Sequence, residues 1–99
     1  MLHIVNKSPH DSNSFDGCLR LAAPGAAVLL VEDAVYALVK GSEALARLGE
    51  KSADLKLYAL GPDLQARGLA ERIGDLATIV GYDGFVDLVE EHGTPNSWL

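Results

Sequence analysis

The chain has 99 residues, 48% of them apolar and 22% charged, with a mean hydropathy of +0.14. That composition excludes disordered, collagen-like and low-complexity classes and fits one domain over residues 1–99 with one modest core. Eight Lys and Arg against 14 Asp and Glu give a formal charge of −6, which argues against free-standing binding to a phosphate backbone.

The longest apolar run, residues 26–31, is far shorter than the roughly 20 residues of a membrane span, so no membrane attachment is expected. The single cysteine excludes an internal disulfide and a paired-cysteine motif. The start of the chain lacks a basic segment followed by a long apolar one, and the cytoplasm is the expected compartment.

In chain order, residues 2–5 read as a buried strand closed by the loop signal Asn6, Lys7, Ser8, Pro9. Asn13 or Ser14 caps a helix running to about Ala23, with Phe15, Cys18, Leu19 and Ala22 at i, i+3, i+4 and i+7. Pro24 and Gly25 stop it. Residues 26–31 form a second strand, apolar on both faces. Asp33 is the expected N-cap of a helix through Leu38, and residues 42–48 form a short helix ended by Gly49. Residues 55–60 are the third strand. Gly61, Pro62 and Asp63 turn into a short helix to Arg67, stopped by Gly68. Residues 76–80 are the fourth strand and residues 84–91 the last helix, with Phe85, Leu88 and Val89 on one face. Gly93 and Pro95 break it, and Ser97, Trp98 and Leu99 form a tail.

This alternation predicts a small three-layer α/β sandwich, Rossmann-like, on a mostly parallel sheet of four or five strands. Functional groups in such folds gather at the carboxyl ends of strands, here the loops 6–13, 31–33, 60–63 and 80–83.

Within those loops the chemistry is sparse. There is no dinucleotide or phosphate-loop motif, no nucleophile elbow and no zinc spacing among His3, His10 and His92, so no cofactor and no metal are expected. Glu32 and Asp33 after a strand form an acidic pair, but a helix cap explains them without a site. Cys18 is the one candidate nucleophile. It sits about one turn into a helix, with Lys7, His10 and Arg20 nearby in sequence, and thiolates are favoured near helix N-termini and cations. The competing reading is core packing, because Cys18 shares an apolar stripe with Phe15 and Leu19. Trp98 is expected to anchor the tail, either in the domain or in a neighbouring subunit.

Several segments together resemble one family: MLHIVNKSP at 1–9, VLLVEDAVYA at 28–37, LYALGPDLQARG at 57–68, DGFVDL at 83–88 and the closing Trp98. The chain is similar to the DsrH/TusB branch of the DsrE/DsrF/DsrH sulfur-relay proteins, in order and over nearly its whole length. The resemblance implies a cytoplasmic DsrE-like α/β subunit of a heterohexameric sulfurtransferase, assembled with DsrE/TusD-like and DsrF/TusC-like sisters. Persulfide sulfur would pass between TusA-type and DsrC/TusE-type carriers, serving either 2-thiouridine at the tRNA wobble position or sulfur oxidation. The principal reactive cysteine is then expected on the DsrE/TusD-like sister. Cys18, in SFDGCL at 14–19, resembles a cysteine of the sulfur-oxidising branch and becomes a possible persulfide carrier. A lone thiol must hand its sulfur to a partner, which suits a subunit. Two alternatives stand beside this: a subunit that completes the assembly without chemistry, and a homo-oligomeric binder of a small ligand. Self-association of the chain when alone is left open.

Overall fold

Four residues decide the architecture. Ala27, Val28, Leu29 and Leu30 are entirely without accessible surface, so the strand they form must be covered on both faces. Each fully buried leucine contributes about 1.5–3 kcal/mol relative to exposure. The computed structural model, which describes residues 1–98, places this strand at the centre of a five-stranded sheet. Its strands are β1 (Leu2–Val5), β2 (Ala27–Leu30), β3 (Lys56–Leu60), β4 (Thr78–Val80) and β5 (Asn96–Trp98). Their order is β4-β3-β2-β1-β5, and every pairing is parallel.

Parallel neighbours need crossovers, and the helices supply them. These are α1 (Ser14–Leu21), a 3₁₀ segment (Glu32–Leu38), α2 (Glu43–Lys51), α3 (Gly61–Ala66) and α4 (Tyr82–His92). In register, Val5, Leu30 and Ala59 share one face, and Ile4, Leu29 and Tyr58 share the other. On the first face Val5, Val28, Leu30, Leu57 and Ala59 pack with Phe15 and Cys18 of α1, Val35 and Leu38 of the 3₁₀ segment, Leu48 of α2 and Leu64 of α3. On the second face Leu2, Ala27, Leu29 and Leu60 pack with Leu88 of α4, joined by Phe85 and Val89. The chain steps from β1 to β4 in one direction and then returns across the whole sheet, so α4 alone crosses the second face.

The three-layer α/β reading holds, with local differences. The expected tail is a strand: Asn96, Ser97 and Trp98 pair with His3, Ile4 and Val5. Leu99 lies outside the described residues. Asp33 does not cap the segment after β2. Val31, whose side chain cannot accept a hydrogen bond, occupies that position, and the Asp33 carboxylate is bound by Arg67 instead. Gly49 does not end α2. The helix runs on to Lys51, and Ser52 Oγ donates to the Gly49 carbonyl at 2.8 Å. Lastly, α1 starts after Asn13 as expected, but Asn13 makes no side-chain cap. Ser12 Oγ accepts the Ser14 N–H at 3.1 Å instead.

The β4–α4 corner leaves no room for a side chain at Gly84. A Cβ on Gly84 would stand 2.8 Å from Val80 Cβ, a stiff β-branched neighbour on the preceding strand. Nothing lies within 4 Å of a Cβ on Gly81. Gly84→Ala should therefore lower unfolding free energy by about 1–3 kcal/mol, and Gly81→Ala should stay within about 0.5 kcal/mol of wild type, both read from urea melts.

Candidate functional site

Cys18 lies inside the fold. The stripe that makes α1 amphipathic turns Phe15, Cys18 and Leu19 onto the sheet, and Cys18 has no accessible surface. Lys7, His10 and Arg20, its sequence neighbours, are all exposed. The thiol therefore gains no cation and loses its water. Burial pushes it up to about 12 from 9.0. A sulfur acceptor needs a thiolate that a donor can reach. As folded, Cys18 offers neither.

The carboxyl ends of β1, β2 and β3 bring together a different group. Glu32, directly after β2, has φ 49, the left-handed region that costs a side-chain-bearing residue roughly 1–2 kcal/mol. Its neighbours hold it there. Glu32 N–H donates to Asp63 Oδ2 at 2.6 Å, and Asn6 Nδ2 donates to Glu32 Oε2 at 3.5 Å. Arg67 completes the cluster from the end of α3. Its Nε donates to Asp33 Oδ1 at 2.9 Å and its Nη1 to the Asp63 carbonyl at 3.2 Å. Asn6 Oδ1 is buried without a hydrogen-bond partner. Three carboxylates, one guanidinium and one amide offer no thiol that could carry sulfur. Their geometry ties the exit of β2 to α3.

Two other features frame the molecule. A groove of about 250 Å³ between α1 and α2 is lined by Asp16, Leu19, Arg20, Arg47, Glu50 and Lys51, with Arg47 Nε held by Asp16 Oδ1 at 2.8 Å. At the far edge, Trp98 Nε1 donates to His3 Nδ1 at 3.0 Å. Trp98 thus anchors β5 within its own chain. Among the described residues, no group of three His, Cys, Asp or Glu stands close enough to hold a metal ion.

The family model for DsrH like protein matches residues 7–94. The chain belongs to the DsrH family. Proteins named TusB are similar to this DsrH-family chain over 98 residues, 99% of its length and 100% of theirs: 40% identical in Serratia proteamaculans, 37% in Pectobacterium atrosepticum and 39% in Escherichia coli O81. A solved protein of unknown function from Methanobacterium thermoautotrophicum shares the fold, with a TM-score of 0.68 over 97% of this chain and 95% of that one at 18% identity.

Of the residues singled out from sequence, Cys18 is buried in the core beside the sheet, while Glu32 and Asp33 enter a network with Asp63 and Arg67. The role of Arg67 was not foreseen. Its signal is the i, i+4 spacing of Asp63 and Arg67 in a helix that starts at a strand end. Asp63→Ala removes the acceptor that holds Glu32 in its strained conformation. It should cost about 1–3 kcal/mol in urea unfolding, as expected for a hydrogen bond to a charged partner.

Proposed function

We propose that this chain is a cytoplasmic subunit of a sulfur-relay assembly of the TusB type, and that it contributes surface and stability rather than the reacting thiol. The observation that carries the reading is the burial of its single cysteine, with the thiol pushed up to about 12. A chain with no exposed thiol passes persulfide on only by completing a partner that has one. In this reading the sisters are DsrE/TusD-like and DsrF/TusC-like, the assembly is a heterohexamer, and the DsrE/TusD-like chain bears the reactive cysteine. TusA-type and DsrC/TusE-type carriers deliver and accept the sulfur, and this chain touches neither nucleic acid nor membrane. No helix of the described residues is long and apolar enough to cross a membrane.

Two branches of chemistry compete for the assembly. Cys18 was the feature that favoured sulfur oxidation, and its burial removes that weight. The relatives reported above are named TusB, which favours thiolation of the tRNA wobble uridine. A carrier role for Cys18 requires α1 to lift from the sheet and expose the thiol.

The test replaces TusB in a bacterium lacking it and measures 2-thiouridine in its tRNA. Wild type and Cys18→Ala should restore the modification equally. Failure of both overturns the thiolation reading. Restoration by wild type alone, with Cys18→Ala present at equal level, makes Cys18 a carrier.

A further inference from the structure

We propose that the Trp98–His3 hydrogen bond is a proton-operated latch that fastens β5, and through it the Gly17 turn of α1, to β1. The strand it fastens is weak by itself. β5 has three residues at the sheet edge, and Asn96 and Ser97 are exposed. Its apolar hold is Trp98, which packs against the core on the same face as α1. The indole lies between two elements. Its ring stands 6.1 Å from the His3 ring at an interplanar angle of 44°. On its other side it occupies the space that a side chain at Gly17 would need, since a Cβ there would come within 3.3 Å of Cζ3.

The polar end of the indole meets His3. Nε1 donates to His3 Nδ1 at 3.0 Å, and an indole N–H is a donor only. His3 must therefore be neutral, with its proton on Nε2. A second proton would turn Nδ1 into a donor facing another donor, and the bond cannot survive it. His3 is 5% exposed, so the charged imidazolium would also lack water.

The surrounding charges do not offset this. β2 presents only Ala27, Val28, Leu29 and Leu30, and β5 has no titratable group from Asn96 to Trp98. On α1, Asp16 is bound to Arg47 and Arg20 is exposed. α4 packs on the opposite face. Burial first, and the Met1 amine second, hold His3 below its ordinary 6.5. The unfastened state takes up its proton before the fastened one, so the latch is fully closed above 6.5 and weakens as pH falls below it. Opening frees the outer edge of β1 and the packing of α1 beside Gly17.

Trp98 is the only tryptophan, so its fluorescence and its single indole N–H resonance report the latch directly. The full-length chain is titrated from about pH 8 to 5. The expected result is a red shift of emission and faster acrylamide quenching below pH 6.5, with far-ultraviolet circular dichroism almost unchanged. The indole N–H should move with the ring titration of His3 and not with that of His10 or His92. His3→Gln keeps an acceptor that does not titrate, and should abolish the response, whereas His10→Gln should keep it. A pH-independent Trp98 signal in wild type overturns the proposal. So does an unchanged response in His3→Gln. If His3→Gln does not fold, the indole N–H of wild type following any group other than His3 overturns it equally.

Discussion

Burial of β2 on both faces is the constraint from which the rest of the structure follows. A strand with no accessible surface from Ala27 to Leu30 needs a layer above and a layer below. Parallel pairing on both sides of it forces each connection through a crossover. The chain meets this by stepping outward through α1, the 3₁₀ segment with α2, and α3, all on one face. It then sends α4 back across the other. The same requirement draws α1 tightly to the sheet. Phe15 and Cys18 belong to the same core cluster as Val5, Val28 and Leu30, so the position of the thiol is a by-product of covering the sheet.

That position decides the chemistry. In water, near a helix start and among cations, a cysteine becomes a thiolate and accepts sulfur. In the core the thiol keeps its proton and packs as a small apolar group. Cys18 has the sequence neighbourhood of the first case and the surroundings of the second. The proposed assembly of sister chains would tolerate this division, because the reacting thiol would need to be present on only one of them. In that proposal a non-reacting sister supplies shape: a rigid sheet edge and a fixed helix layer. The tie among Glu32, Asp63, Arg67 and Asp33 at one end of the sheet and the Trp98–His3 contact at its edge give this chain that kind of rigidity.

Much of the fold was legible in the sequence because burial writes itself as pattern. The apolar run at 26–31 marks the central strand, and the 3.6 spacing of Phe15, Cys18, Leu19 and Ala22 marks the inner face of α1. The contacts between distant loops were not legible. Nothing local says that Asp33 will face Arg67, 34 residues away, rather than cap its own segment. Nor does Asn96-Ser97-Trp98 look like a strand, since two of its three residues are polar and the pairing partner lies at the other end of the chain. Cys18 is the instructive case. The spacing gave both readings of it, and only three-dimensional packing separates a thiol near a helix start from a thiol turned into the core.

The most direct measurement is the rate at which a small thiol reagent labels Cys18 in the folded chain, compared with the rate in concentrated urea. A thiol locked in the core reacts only through rare opening, so the folded rate should be slower by about a thousandfold or more. Labelling at comparable rates in the two conditions would place the sulfur within reach of a donor and contradict a subunit that works by shape alone.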